Sequence, residues 1–286
     1  MRSETDCSIT SREVYSWAQD CLVQAKLAKD HGWLCTAVVV LAIVFRAAAR
    51  SISISAACRD LTDGPSDQAV MTALEDGLPK TLPVLERRIN DALTGHLPRA
   101  MRRPRWEVAI DFHLDPYYGR PHKSRNEIYY GQPKAGTTKF HAYASACIVE
   151  YGRRYTLALT WVRRHESKIT VLRRLLTRIR EIGLKIRCLL LDREFFTVAV
   201  MAFLQQETLP FLMPVKFAGR PPKKGRKRTG LRWIQRQPAG WYRHTMKSGK
   251  QEVAFSVCAG YRRYTNRKDN KRRCQKLLFA AWQIHG

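Results

Sequence analysis

The sequence predicts an α/β protein with a helical N-terminal region, and three observations lead to this class. The first hundred residues carry apolar side chains mainly at helical spacing, whereas the next stretch alternates short apolar runs with amphipathic segments. The last seventy residues are basic, begin with a loop punctuated by Pro and Gly, and carry aromatic residues among the charges. The predicted organisation is therefore a helical region (1–100), an α/β core (101–216) and a basic β-rich segment (217–286).

The composition favours a polyanionic partner. The chain has 286 residues, 45% of them hydrophobic, and a formal net charge of +27. An excess of this size favours nucleic acid, and no basic amphipathic segment or lipidation signal supports a membrane surface instead. The longest apolar run, Trp33–Phe45, is shorter than the roughly 20 residues of a spanning helix. We therefore expect no membrane association and a cytoplasmic, nucleoid-associated protein.

The cysteines support the same compartment. Eight are scattered along the chain without a Cys-x-x-Cys pair, and several lie inside apolar runs. Free cysteine in such a run behaves as a small hydrophobic residue. This pattern is typical of a reducing cytosol and favours neither a disulfide framework nor a zinc site.

In the N-terminal region, the pattern predicts a helix over Glu13–Lys29 and a buried helix from Trp33. Two further helices are predicted around a turn at Thr62–Pro65, with Ser66 as an N-cap and Gly77 as a stop. Two helices around such a turn are compatible with helix-turn-helix DNA binding. Residues 66–76 contain no Lys or Arg to contact phosphate, which favours plain helix packing.

The pattern of the core predicts three strands, a helix, a strand, a second helix and a last strand, in this order. This order is that of an RNase H-like domain, in which a mixed sheet carries helices on its faces. The predicted strands are 106–113, 139–151, 153–162, 186–191 and 209–216, and the helices are 167–184 and 197–207.

The basic segment predicts β-hairpins that contact nucleic acid. Between Lys216 and Lys276 the acids are Glu252 and Asp269 alone, and aromatic residues are interleaved with the basic ones. Basic side chains neutralise phosphates and aromatic rings stack on exposed bases. The run "PPKKGRKR" is equally consistent with a solvated loop. The candidate DNA-binding residues are Lys223, Lys224, Arg226, Lys227, Arg228, Arg232, Trp233, Arg262, Arg263, Lys271, Arg272 and Arg273.

Two aspartates are the candidate catalytic and metal-binding residues. Asp111 interrupts the apolar strand pattern of "VAIDFHLDPYYGR", where a carboxylate is costly unless a cation or hydrogen bonds compensate. Asp192 follows the apolar run of "IRCLLLDREFF". Asp115 precedes Pro116 and is more typical of a turn. Two carboxylates at the ends of neighbouring strands suit Mg²⁺ or Mn²⁺ and phosphoryl transfer, in which water and then a 3′-hydroxyl attack.

These two motifs, in this order and followed by a basic segment, resemble the first and second aspartate motifs of DDE insertion-sequence transposases, most closely the IS-four-type group. The resemblance covers roughly residues 100–286. It implies an RNase H-like domain with a β-rich insertion, Asp111 and Asp192 as catalytic aspartates, and activity on terminal inverted repeats and target DNA. It also implies a homodimer, since such transposases commonly act on paired ends.

The sequence departs from this group at the third acid. The group places a glutamate within Tyr-x-x-Arg-x-x-x-Glu on a helix after the insertion, and no such pattern occurs here. We therefore expect a chain that ends before this helix and is impaired in catalysis, with Glu194 as the candidate replacement. The alternatives are a non-catalytic DNA-binding remnant of a transposase, and an RNase H-like nuclease that uses Glu194 or Glu207.

Overall fold

The computed structural model describes residues 10–95, 97–121, 126–150, 153–217, 229–266 and 269–284. The chain divides into two compact units, with the division after Leu97. None of the helices in the described ranges combines the length and apolar character needed to cross a membrane.

The first unit is a bundle of short helices. Threonine and serine side chains cap four of them by accepting hydrogen bonds from backbone N–H groups, and Ser66 is one of these caps, as predicted. Its core centres on Val40, Leu41 and Ile43. The helices are α1 (Ser11–Gln24), α2 (Ala37–Arg50), α3 (Ile54–Arg59), α4 (Asp67–Gly77) and α5 (Leu82–Gly95).

Two details of this unit differ from the sequence prediction. Helix α1 ends at Gln24 rather than near Lys29. Lys26 adopts a positive φ of 50°, and a right-handed helix cannot continue through this conformation. Gly77 is the last residue of α4, and its function is close packing. A Cβ at this position would lie 2.5 Å from the Cα of Ala28.

The second unit is built around one large mixed sheet. In the described residues, nine strands pair in the order β2-β3-β1-β5-β6-β9-β8-β7, and β4 also pairs with β3. The strands are β1 (Arg105–Pro116), β2 (Ile128–Lys134), β3 (Thr137–Glu150), β4 (Arg153–Trp161), β5 (Lys185–Leu191), β6 (Phe211–Pro214), β7 (Gly240–Ser248), β8 (Gln251–Thr265) and β9 (Arg272–Trp282). The helices are α6 (Lys168–Glu181), α7 (Val198–Gln206) and α8 (Gly230–Ile234).

The strand directions confirm the predicted α/β class and its RNase H-like mixed sheet. Strand β3 runs antiparallel to both β1 and β4, whereas β1, β5 and β6 are parallel neighbours. Helices α6 and α7 connect the strands on the parallel side, as parallel pairing requires. The first strand thus lies in the middle of the sheet, between antiparallel and parallel neighbours.

Two features of the sheet were not predicted. Strand β2 contains Gly131 and Pro133, which are poor strand formers, and it pairs with β3 as an edge strand. Strand β9 returns from the basic segment and pairs with β6, with Phe211 opposite Trp282. The basic hairpins therefore continue the central sheet.

The two faces of the sheet are buried to different degrees. Buried side chains alternate with less buried ones along β1, β5, β6 and β8, and α6 and α7 cover the buried face. Arg174 of α6 donates to Thr160 Oγ1 at 2.8 Å, and Thr160 is the register partner of Ala144 on that face. We call the other side the open face.

Neighbouring leucines on β5 test this assignment. Leu189 is fully buried on the helix-covered face, whereas Leu190 is half-buried on the open face. Leu189→Ala should lower the free energy of unfolding by about 3 kcal/mol and Leu190→Ala by about 1 kcal/mol, because only the first opens a closed cavity. Urea unfolding followed by circular dichroism measures both. Equal losses would contradict the assignment of the faces.

Candidate functional site

Asp111 and Asp192 occupy neighbouring positions on adjacent parallel strands. Ile110 of β1 and Leu191 of β5 are register partners, and an aspartate follows each. Adjacent strands lie about 4.8 Å apart, and side chains at matched positions of parallel strands point to the same face. Ile110 and Leu191 are buried, whereas both aspartates are exposed. The pairing of β1 with β5 thus brings the two aspartates to neighbouring positions where β5 ends.

The residues that follow each aspartate hold it in place. The N–H of Phe112 donates to Asp111 Oδ1 at 2.8 Å, and the N–H of Arg193 donates to Asp192 Oδ1 at 2.6 Å. Asp192 caps the short 3-10 turn Arg193–Phe195. The ring of fully buried Phe195 stacks on Phe112, with centroids 4.8 Å apart and planes 6° apart. This stack joins the two aspartate motifs.

A polar strip adjoins Asp111 on the open face of β1 and β3. Three register pairs form it: Asp111 with Ser145, His113 with Tyr143, and Asp115 with His141. His113 Nε2 lies 2.8 Å from Ser145 Oγ, and its imidazole stacks on Tyr143 at 4.7 Å. Burial, with a smaller contribution from the charge of Asp115, raises the pKa of Tyr143.

This strip was not predicted from the sequence. The alternation of polar and apolar residues that indicates it is visible in β1, at Asp111, His113 and Asp115. The alternation is hard to recognise in β3, because small Ala and Ser side chains dominate that strand.

A cleft of about 1170 Å³ opens beside Asp192 on the helix-covered side. It lies where β1, β5 and β6 end and α6 begins, which is where ligands bind in open α/β sheets. Asp111 precedes a residue of the cleft wall and does not itself line the cleft. The residues that matter for its chemistry are Phe112, Leu114, Lys168, Asp192, Glu194 and Lys216.

Lys168 is a lysine of this cleft whose pKa is shifted by its surroundings. Its ammonium group donates to the backbone carbonyl of Glu194 and lies 3.9 Å from Glu194 Oε2. Burial lowers the pKa of Lys168, and the nearby Lys216 lowers it further, while Glu194 and Asp192 raise it. The pKa of Tyr129, also in the cleft wall, is raised by burial and then by Glu194.

The other acids considered as a third ligand lie in ion pairs. Glu194 faces Lys168, Glu207 pairs with Arg180, and Glu252 Oε2 lies 2.9 Å from Lys247 Nζ. Among the described residues, no group of three or more His, Cys, Asp or Glu side chains is arranged to hold a metal ion. Among the described residues, the predicted third acids are thus not gathered with both aspartates into one cluster.

This pair fits a hard divalent cation. Mg²⁺ is commonly bound by one or two carboxylates, with waters and substrate phosphate oxygens as the remaining ligands. Asp111 and Asp192 supply two carboxylates at neighbouring positions, and the hydrogen bonds from the N–H groups of Phe112 and Arg193 use one oxygen of each. The second oxygen of each aspartate is the donor atom that such an ion requires.

The predicted DNA-binding residues are distributed over several elements. Lys223, Lys224, Arg226, Lys227 and Arg228 lie outside the described residues. Arg232 and Trp233 are on α8, Lys271 directly precedes β9, and Arg262, Arg263, Arg272 and Arg273 are exposed on β8 and β9.

Comparison with protein-family models and with curated protein sequences gave no match. Among solved structures, the chain is similar to Ciona intestinalis endonuclease V in complex with a 24-mer DNA containing an inosine followed by a ribo-adenosine. The identity is 15%, the match covers 67% of this chain and 78% of that one, and the TM-score is 0.29. This TM-score is too low to establish a common fold. The class defined by the strand order and helices of this chain is an α/β protein with an RNase H-like mixed sheet.

The environment of Lys168 predicts opposite effects of two substitutions. Its pKa should lie below the ordinary lysine value, Glu194→Gln should lower it further, and Lys216→Met should raise it. NMR titration of ¹³C-dimethylated lysines in EDTA measures this, with Lys168→Arg identifying the resonance. Shifts of the same sign in both variants would refute the described cleft electrostatics.

Proposed function

We propose that this protein is a metal-dependent DNA transposase of the DDE type, acting on phosphodiester bonds at the ends of an insertion sequence. The observation that supports this most directly is the register of β1 and β5, in which Ile110 and Leu191 are partners and an aspartate follows each. The net charge of +27 supports a DNA substrate. Terminal inverted repeats and target DNA are the proposed partners, bound by a homodimer.

In the proposed reaction, Asp111 and Asp192 would hold Mg²⁺ or Mn²⁺ through their carboxylate oxygens. The bound ion would lower the pKa of an attacking water or hydroxyl and neutralise charge on the phosphate. The Phe112–Phe195 stack connects the chain segments that carry the two aspartates. Lys168 and Lys216 line the cleft beside Asp192 and are available to contact phosphate oxygens.

The same geometry serves two successive displacements. Water first attacks phosphorus, and the 3′-oxygen of the element leaves as a hydroxyl after taking up a proton. That 3′-hydroxyl then attacks a phosphate of the target, whose own 3′-oxygen leaves in the same way. Neither step forms a bond to a protein side chain, so the reaction needs no protein nucleophile, and the lack of the group's third acid is expected to slow it.

Two alternatives each have an observation in their favour. The described residues contain no cluster of three metal ligands, which favours a DNA-binding protein without catalysis. Glu194 lines the same cleft as Asp192, which favours a nuclease that uses this glutamate. A nuclease should cut DNA without preference for terminal repeats, and Glu194→Gln should abolish its activity.

Isosteric substitution of the aspartates tests the proposal. Asp111→Asn and Asp192→Asn should each reduce Mg²⁺- or Mn²⁺-dependent nicking of DNA carrying the element ends about a thousandfold, because each removes a ligand worth several kcal/mol in the transition state. Binding of the same DNA in EDTA should persist in both variants. Gel analysis of a supercoiled plasmid measures the nicking.

Asp115→Asn is the matched control, since it removes the same charge from the same face of β1. This variant should retain nicking activity. DNA binding without nicking by the unmodified protein would instead establish the non-catalytic alternative. Nicking that survives in both aspartate variants would refute the assignment of the site.

A further inference from the structure

The open face of the sheet carries an unbroken row of register partners from the aspartates' strands to the basic hairpins. Strand pairing connects Ala109 to Leu190, Leu190 to Leu212, Leu212 to Ala281, Ala281 to Ser256, and Ser256 to Arg243. Register partners share a face, so these six side chains all point to the side away from α6 and α7.

The next row of the same face contains the site. Two residues further along each strand stand Asp111 on β1, Asp192 after β5 and Pro214 on β6. Pro214 pairs with Phe279, Phe279 with Cys258, and Cys258 with Trp241. The aspartate pair and Trp241 therefore stand at the two ends of one row that crosses the sheet.

Exposure supports an accessible surface at the Trp241 end. Along β7 the side chains alternate, with Trp241, Arg243, Thr245 and Lys247 exposed and the intervening ones half-buried. Trp241 is 47% exposed. Between the ends, the row offers the half-buried apolar side chains of Pro214 and Phe279.

The register also divides the basic residues between the two faces. Arg243 and Arg262 lie on the open face with Trp241 and Tyr264, because they alternate in step with Ser256 and Cys258. Arg263 alternates in step with Val257 and lies on the opposite face. Trp233 also belongs to that side, since its ring contacts Tyr242, which points away from Trp241. The consecutive residues Arg262 and Arg263 thus lie on opposite faces of the sheet.

We propose that a single strand of nucleic acid crosses the open face along this row, with a base stacked on Trp241 beside Arg243. The strand continues on the same face along β8 toward Arg262 and Tyr264, which lie four and six residues beyond Cys258. Exposed aromatic rings among arginines on a sheet surface bind unpaired bases, because every base offers a π-face. The half-buried apolar side chains of the row suit sugars and base edges. In the proposed function, the strand so bound is DNA that leads to Asp111 and Asp192.

The span of the row sets the length of the bound strand. Five steps between neighbouring strands, from β1 to β7, amount to about 24 Å at about 4.8 Å a step. A single strand that keeps the stacked spacing of about 3.4 Å per nucleotide covers this distance with about seven nucleotides, and a more extended strand covers it with fewer.

The test is a binding titration in EDTA with a fluorescein-labelled 12-nucleotide single strand, its duplex and a 4-nucleotide strand. Trp241→Ala should weaken binding of the 12-nucleotide strand about tenfold, as expected for one lost stacking platform. Arg262→Gln should weaken it severalfold and reduce the salt dependence by about one phosphate contact. The 4-nucleotide strand should bind much more weakly, and the duplex should be insensitive to Trp241→Ala.

The opposite face provides matched controls. Trp233 is 46% exposed and Arg263 is the chain neighbour of Arg262, so Trp233→Ala and Arg263→Gln make the same chemical changes on the other side. Both should weaken single-strand binding far less than their counterparts. Thermal unfolding of all four variants shows which of them are folded.

The inference would be overturned if the substitutions on both faces reduced the affinity for the single strand equally. It would also be overturned if duplex bound more tightly than single strand and Trp241→Ala weakened the binding of both equally. Its failure is distinguishable from failure of the proposed function. Face-independent binding combined with Asp111-dependent nicking refutes the strand path alone. Face-specific binding without nicking supports the path and refutes the catalytic proposal.

Discussion

The parallel pairing of β1 with β5 is the constraint on which the site depends. These strands are far apart in sequence, and their register is fixed by buried residues such as Val108 and Leu189, which must both face the helices. A shift of one residue would exchange the faces of every side chain on the strand. The burial of the core thereby determines that the two aspartates emerge at the same level and on the same side.

Basic side chains near Asp192 offset part of the repulsion between Asp111 and Asp192. Asp111 and Asp192 lie on adjacent strands, so their carboxylates repel each other, and their exposure lets water screen part of this repulsion. Lys168 and Lys216 stand beside Asp192 and oppose part of it. Burial weakens the preference of Lys168 for its charged form, so this compensation is partial, and the N–H groups of Phe112 and Arg193 donate to the two carboxylates as well.

Much of the fold follows from local sequence pattern, and the remainder depends on contacts between distant segments. The apolar runs around Ile110 and Leu189 and the stripe of α6 are local signals, so the core strands and helices were predicted. Strand β2 was missed because Gly131 and Pro133 suppress its propensity, and only pairing with β3 makes it a strand. The return of β9 to β6 has no local signal at all, since it is decided by which sheet edge is available.

The site shows the same division. The positions of Asp111 and Asp192 stand out in sequence because each interrupts or ends an apolar run. The Phe112–Phe195 stack that joins their motifs links residues more than eighty positions apart, and no local pattern encodes it. The sequence also treats Arg262 and Arg263 as equivalent basic residues, whereas the register separates them.

Asp192 lies directly after β5, at the edge of the cleft, and therefore contributes to both the cleft and the open-face row. On one side it lines the cleft with Lys168 and Lys216; on the other it stands in the open-face row with Asp111. Beyond the end of β5 the backbone leaves the sheet through the 3-10 turn, so strand pairing no longer confines Asp192 to one face. Asp111, inside β1, is held to the open face by strand geometry. In the proposed function, a phosphate held by both aspartates would meet the cleft cations on one side, and the rest of its strand would lie on the open face.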